Sequence, residues 1–189
     1  MTDEPEIFLV RHGETEWSSS GKHTSYSEVA LTERGRVQAT ALATRLRGRD
    51  FTLVLTSPRS RAVDTCALAG LGDRAELSED LAEWNYGEYE GQTAAAIRTA
   101  VPGWTVFTHG APGGETSAEV GARADRVLAR AEAAGGPVAL FSHGHFLRVL
   151  GARWIGLAPD AGRYFGLDVA TISVLGRERE QRVLRRWNT

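Results

Sequence analysis

Three short polar segments of the chain combine histidine, arginine and serine in a way that suits the chemistry of phosphate esters. They are Arg11-His12-Gly13, the segment Ser57–Arg61, and Ser142-His143-Gly144. A neutral imidazole can attack phosphorus as a nucleophile, and the planar guanidinium of arginine forms paired hydrogen bonds with phosphate. If the fold brings these segments together, two histidines and two arginines would form a pocket for a dianion, with a phosphoryl group as the expected occupant.

The candidate donor of a proton to the leaving group is Glu83. It lies in a polar and aromatic stretch that runs from Leu81 to Gly87. Phosphoryl transfer needs little more than a positioned nucleophile, cations around the phosphoryl oxygens and this proton. Taken singly, Glu83 is also consistent with a solvated surface acid, and His12 with a hydrogen-bonded structural histidine.

Each polar segment follows a short apolar run that predicts a buried strand. The runs are Ile7–Val10, Leu53–Leu55 and Val138–Phe141. Because ligands of open α/β sheets bind at the carboxyl ends of the strands, the three segments should meet at one edge of the sheet. Helices are predicted over 32–47, 61–69, 117–133 and 146–155, closing strands over 172–175 and 182–187 with a turn at 176–180, and loops over 78–93 and 101–115.

Strands that alternate with helices predict an α/β fold, here a three-layer α/β/α sandwich with a mainly parallel central sheet. The chain has 189 residues, a length that suits a single domain over residues 1–189. Such a length can bury a substantial hydrophobic core.

The composition is that of an ordinary globular protein, with 42% hydrophobic residues and 22 Lys+Arg against 24 Asp+Glu. Nucleic acids and anionic membranes attract strongly cationic proteins, so neither is expected as the main partner. The sole cysteine, Cys66, excludes a disulfide within the chain and a multi-cysteine metal site. The acidic start, without a basic leader or a long apolar run, predicts a cytoplasmic protein.

Taken in order along the chain, the motifs resemble those of the histidine phosphatase superfamily, which contains phosphoglycerate mutases and acid phosphatases. The detailed pattern is most similar to broad-specificity bacterial acid phosphatases and fungal sedoheptulose-bisphosphatase-like enzymes. The resemblance implies a phosphoglycerate mutase-like form of the predicted sandwich. It rests on Leu9–Trp17, Ser57–Thr65, Glu83–Gly91, Gly113–Thr116 and Ser142–Arg148, which together span nearly the whole chain.

The resemblance implies a role for each matching residue. His12 would be the nucleophile that carries the phosphoryl group, and Glu83 would protonate the leaving alcohol and then activate water. Arg11, Arg61 and His143 would hold the phosphoryl oxygens. No metal or organic cofactor is implied. Both arginines and a protonated His143 should lower the pKa of His12 and keep its attacking nitrogen free.

Further substrate contacts are predicted around these five residues. Many family members have Asn shortly after Arg-His-Gly, where this chain has Ser18. Arg148 and His145 are either structural partners or basic groups that hold a second substrate phosphate, and His23 is expected in a lid or at the surface. The predicted substrate-binding set is Ser18, Thr24, Tyr86, Gly144 and Arg148.

These features predict a metal-independent phosphomonoesterase whose partner is a small-molecule phosphate ester, such as a sugar phosphate or bisphosphate. A phosphoglycerate mutase is the first alternative, but mutases generally carry a longer insertion in place of the segment between Glu83 and His143. A phospho-ligand binding module without turnover is the second, and the presence of His12, Glu83 and His143 together disfavours it. A phosphoprotein phosphatase is the third. The resemblance also allows a homodimer.

Overall fold

The computed structural model describes residues 6–189. Within this range the strands are β1 (Ile7–Arg11), β2 (Leu53–Thr56), β3 (Ala75–Leu77), β4 (Val138–Ser142), β5 (Ile172–Glu178) and β6 (Gln181–Arg186). The α-helices are α1 (Glu16–Ser20), α2 (Glu33–Leu46), α3 (Ser60–Leu68), α4 (Ala94–Ala100), α5 (Val106–His109), α6 (Ser117–Ala133) and α7 (Gly144–Trp154). Short 3-10 turns cover Gly72–Arg74, Glu79–Leu81, Gly87–Tyr89 and Pro159–Tyr164.

The strands form one sheet in the order β3-β2-β4-β1-β5-β6. The pairs β3–β2, β2–β4 and β4–β1 are parallel, whereas β5 and β6 are added antiparallel. In this register Arg11 lies opposite Ser142 and Thr56 lies opposite Phe141. The polar segments that follow β1, β2 and β4 therefore leave the sheet side by side, as the sequence predicted.

Alternate residues of the strands supply two separate cores, one on each face of the sheet. Leu9 and Leu140 face α6 and α7, and Val10 and Phe141 face α2 and α3. Helices on both faces bury the central strands completely, which explains their continuous apolar runs. The predicted three-layer α/β/α sandwich is confirmed.

The longest helix, α6, occupies the residues predicted for it. Thr116 accepts a hydrogen bond from the N–H of Glu119, whose side chain bonds back to the N–H of Thr116, so the helix starts with a capping box. Its buried residues, Val120, Ala124, Val127, Leu128 and Ala131, recur at helical spacing and face the sheet.

Some predicted boundaries were wrong. The helix predicted over 146–155 begins two residues earlier, at Gly144, because His143 is its N-cap and a distant carboxylate bonds its first turn. The strand predicted over 172–175 is longer, since β5 continues to Glu178, and the strand predicted over 182–187 is shifted by one residue to Gln181–Arg186. The two strands pair across a two-residue turn. Arg179 makes this tight turn with φ of 55°.

Several short elements were not predicted: α1, β3, α4 and α5. The edge strand β3 has three residues, and α5 has four. Neither is long enough to show a hydrophobic period, so tertiary packing sets them. The helices within residues 6–189 include none with the length and apolar character needed to cross a membrane.

Candidate active site

A cavity of about 150 Å³ opens at the carboxyl ends of β1 and β4. Its wall combines the end of β1, the start of α7, the loop after α1 and the segment around Glu83. The lining residues are Arg11, His12, Ser18, Gly21, Lys22, His23, Thr24, Glu83, Tyr86, Gly144, His145, Arg148 and Leu167. Of the ten predicted site residues, eight line this cavity, and Arg61 and His143 lie fully buried behind it.

His12 directly follows β1 and is 6% exposed. Its Nδ1 lies 2.7 Å from the carbonyl oxygen of Gly13. A carbonyl can only accept, so Nδ1 carries the proton and Nε2 holds a lone pair. Burial lowers the pKa of His12 well below 6.5, and the charges of Arg11 and Arg61 lower it further. The imidazole is therefore neutral, with an unprotonated nitrogen.

The second histidine, His143, caps α7 and packs edge-to-face against His12 with ring centroids 5.2 Å apart. Its Nε2 lies 2.8 Å from Oγ of Ser57, at the end of β2, so three strand ends meet here. Burial, followed by the charge of Arg61, lowers the pKa of His143 well below 6.5. Where the sequence suggested a protonated His143, burial favours the neutral ring, and the cations beside His12 are Arg11 and Arg61.

Three buried nitrogens around His12 have no hydrogen-bond partner among the described residues: Nε of Arg11, Nε of Arg61 and Nδ1 of His143. Buried polar atoms are normally hydrogen-bonded, and exceptions concentrate where a ligand or ion binds. The guanidinium of Arg11 also donates to the carbonyl of Leu167. A bound anion with several oxygens can satisfy such a set of nitrogens.

Arg61 is completely buried in α3 and supports the loop that follows α1. Its terminal nitrogens donate to the carbonyls of Thr24, Ser25 and Ser27 at 3.0–3.1 Å. The terminal nitrogens of this guanidinium thus support the cavity wall, while its Nε has no hydrogen-bond partner among the described residues.

Glu83 is 7% exposed, and three backbone N–H groups hold its carboxylate. Trp84 and Phe146 donate to Oε1 at 2.9 and 2.8 Å, and His145 donates to Oε2 at 3.1 Å. Two of these donors belong to the first turn of α7, whose N–H groups have no partner within the helix. The carboxylate therefore lies at a fixed position on the wall that His12 also lines.

Gly144 starts α7 directly against the guanidinium of Arg11. A Cβ on Gly144 would lie 3.2 Å from Cζ and 3.3 Å from Nε of Arg11. Glycine therefore gives Arg11 the space it occupies at the mouth of the cavity. Tyr86, also predicted, is buried and hydrogen-bonds Nδ1 of His145 at 2.5 Å.

The remaining predicted residues line the cavity but already have partners. Ser18 exchanges hydrogen bonds with the backbone of Thr15 as part of the α1 capping box. Thr24 donates to the carbonyl of Lys22 at 3.2 Å. Arg148 donates to the carbonyls of Gly162 and Arg163 and lies over the ring of Phe107.

Sequence reasoning did not place His23 in the wall or assign a partner to Ser57. His23 packs against Tyr86 and His145, which are distant along the chain. Ser57 opens the motif Ser57–Thr65, and its place at the end of β2 was the available signal. No local pattern identifies the partners of His23, because they come from distant parts of the chain.

Comparisons with known proteins agree with this geometry. Residues 7–189 match the histidine phosphatase superfamily (branch 1). An acid phosphatase of Mycobacterium tuberculosis is 45% identical over 183 residues, covering 94% of this chain and 89% of its own. The sedoheptulose 1,7-bisphosphatase of Saccharomyces cerevisiae is 33% identical over 185 residues, covering 81% and 68%.

Solved structures show the same fold. The protein of a functionally characterised open reading frame of Mycobacterium tuberculosis superimposes with a TM-score of 0.93 at 41% identity, covering 97% of both chains. A mycobacterial glucosyl-3-phosphoglycerate phosphatase in complex with VO3 gives a TM-score of 0.85 at 27% identity, covering 98% of this chain and 99% of its own. On these grounds the chain belongs to the histidine phosphatase superfamily, with a phosphoglycerate mutase-like fold, and is a hydrolase.

Proposed function

We propose that this protein is a metal-independent phosphomonoesterase that hydrolyses small phosphorylated metabolites through a phosphohistidine at His12. The observation that carries the proposal is the tautomer of His12. Its Nδ1–H is held by the carbonyl of Gly13, and it lines the cavity with a neutral ring. A neutral imidazole with one fixed proton presents its other nitrogen as a nucleophile.

In the first step, Nε2 of His12 attacks phosphorus while the bond from phosphorus to the ester oxygen breaks. Protonated Glu83 gives its proton to the departing oxygen, and the alcohol leaves. In the second step, water attacks the phosphoryl group, the carboxylate of Glu83 takes a proton from it, and the N–P bond breaks. Phosphate leaves, and His12 regains its lone pair.

The phosphoryl oxygens take the unpaired nitrogens of Arg11, Arg61 and His143. Charge that spreads over these oxygens in the transition state is stabilised by groups already in place, which is the main source of catalysis in phosphoryl transfer. The N-terminus of α7, which begins at Gly144, contributes the partial positive charge of the helix dipole.

Hydrolysis and mutase activity share the first step and differ in what receives the phosphoryl group. The relatives named above as acid phosphatase and sedoheptulose bisphosphatase favour water as the acceptor. A probable phosphoglycerate mutase of Yersinia enterocolitica is also 32% identical over 178 residues, so transfer has to be measured directly.

The test is phosphate release from p-nitrophenyl phosphate, phosphoglycerates and sugar mono- and bisphosphates, with EDTA present. Wild type is compared with His12→Ala and with His109→Ala, a control on the exposed part of α5. We expect release that survives EDTA, is lost in His12→Ala and is retained in His109→Ala. Release that needs a metal, or that survives in His12→Ala, contradicts the proposal, and transfer between phosphoglycerates faster than release supports the mutase.

A further inference from the structure

Two histidines outside the proposed catalytic set, His23 and His145, form part of the cavity wall. Their rings are stacked, with centroids 5.8 Å apart and planes 12° apart. Each has its Nδ1 in a hydrogen bond to the protein and no partner for Nε2 among residues 6–189. Neither Nε2 atom is among the fully buried unpaired nitrogens, so both are open to the cavity.

The protein partner of each Nδ1 decides what its Nε2 offers. His23 places Nδ1 2.7 Å from the carbonyl of Gln92, which can only accept, so Nδ1 carries the proton and Nε2 is an acceptor. His145 places Nδ1 2.5 Å from the hydroxyl of Tyr86. The phenol of Tyr86 also hydrogen-bonds the carboxyl group of Glu83, so either ring nitrogen of His145 can carry the proton.

Surrounding aromatic rings hold both imidazoles in place. His23 packs edge-to-face against Tyr86 and Trp104 at 4.7 and 5.2 Å, and His145 packs against Phe107 at 5.2 Å. Burial lowers the pKa of His23, and burial followed by the charge of Arg148 lowers the pKa of His145. The wall therefore presents two neutral imidazoles held in fixed positions, and Nε2 of His23 is a fixed acceptor.

We propose that His23 and His145 form a hydroxyl-binding pair that holds the alcohol portion of the substrate and selects phosphate esters of polyhydroxylated alcohols. A hydroxyl group can donate to Nε2 of His23, and it can bond Nε2 of His145 in either tautomer because a hydroxyl both donates and accepts. A second phosphate or a carboxylate offers only acceptor oxygens. Because Nε2 of His23 is also an acceptor, such a group cannot hydrogen-bond to it. The inference rests on the proposed function, since the bound alcohol is the leaving group of that reaction.

Two esters with the same carbon chain separate this role from general catalysis: glycerol phosphate and propyl phosphate. The variants are His23→Phe and His145→Phe, which keep an aromatic ring without its nitrogens, and His109→Phe as a control outside the cavity. Each cavity variant should lower kcat/KM for glycerol phosphate about tenfold, mainly through KM, as expected for one lost hydrogen bond. The loss for propyl phosphate should be several times smaller.

His145→Gln and His23→Gln, which restore a polar group, should recover part of the preference for glycerol phosphate. Equal losses on both esters, or a wild type that does not prefer glycerol phosphate, would overturn the hydroxyl-binding pair while leaving the phosphatase proposal intact. If wild type hydrolyses neither ester and no other member of the earlier substrate panel, the proposed function fails and this inference fails with it. Hydrolysis of propyl phosphate by the Phe variants also shows that they are folded.

Discussion

The carboxylate of Glu83 accepts a hydrogen bond from the backbone N–H of Phe146 at 2.8 Å. Phe146 lies in the first turn of α7, and the N-cap of the same helix is His143. One helix end thus sets the positions of the proposed acid and of the histidine that we propose holds the phosphoryl group. The N–H groups of a first helical turn have no acceptor within the helix. A carboxylate at that end therefore accepts hydrogen bonds from N–H groups that would otherwise be unpaired.

Glu83→Gln should remove the proton donor and slow hydrolysis of alkyl phosphates by about 10²- to 10⁴-fold, the range usual for general acid catalysis. The loss with p-nitrophenyl phosphate should be much smaller, because p-nitrophenolate leaves without a proton. Steady-state kinetics on both esters provide the check. Glu88→Gln, on an exposed neighbour, is the matched control. Equal losses on the two esters would argue that Glu83 acts only by holding α7.

Gly144→Ala should displace the guanidinium of Arg11, because the new Cβ would lie 3.2 Å from its Cζ. A misplaced catalytic group commonly costs up to about 10²-fold in rate, and we expect a loss of kcat/KM approaching that value with little change in Tm. Gly166→Ala is the control, since its Cβ would meet no atom within 4 Å. Wild-type kinetics in the Gly144→Ala enzyme would show that Arg11 does not need its present position.

Arg61→Lys should lower both activity and stability. A single ammonium cannot replace the hydrogen bonds that Arg61 makes to the carbonyls of Thr24, Ser25 and Ser27. The bond to Ser25 is buried and those to Thr24 and Ser27 are partly buried, and a buried acceptor left unpaired costs about 1–3 kcal/mol, so we expect a fall of at least about that size in the free energy of unfolding. Urea unfolding measures this. The surface change Arg130→Lys is the comparison, and a similar small effect for both would contradict the role given to Arg61.

Stability should fall as the pH is lowered through 6.5. The fold lowers the pKa of His12, His143 and His145 well below 6.5, mainly by burial. Below pH 6.5 these histidines bind protons in the unfolded chain but stay neutral in the folded state. The stability present above that pH is therefore lost as the pH falls toward the lowered pKa values. Each group contributes up to about 1.4 kcal/mol per pH unit.

Urea unfolding between pH 5.5 and pH 7.5 tests this dependence. His145→Gln removes one of the three groups and should make the curve less steep. A curve with no slope below pH 6.5, or a variant as steep as wild type, would show that these imidazoles bind protons in the folded state.

Cys66 should resist thiol reagents in the native protein. It is buried in α3, and burial raises the pKa of its thiol to about 12, so almost no thiolate forms near neutral pH. We expect labelling by an aromatic disulfide reagent in urea and not in buffer. Fast labelling of the native protein would mean that α3, and with it Arg61, opens readily.

Several features were predictable because they depend on short stretches of chain. The apolar runs before Arg11, Ser57 and Ser142 predicted strands, and their parallel pairing then placed the polar ends at one edge of the sheet. The helical period of α6 predicted its bounds. Motif order identified the family, and with it ten candidate site residues, eight of which line the cavity.

Other features depended on contacts between distant parts of the chain, which only the tertiary structure decided. The bond from Phe146 to Glu83 set the start of α7, and the stacking of His23 on His145 joined the loop after α1 to the first turn of α7 in one wall. Burial, which no local pattern reveals, kept His143 neutral where the sequence had suggested a cation. Residue types thus determined which chemistry was available, while packing decided protonation and partners, because desolvation depends on everything folded around a group.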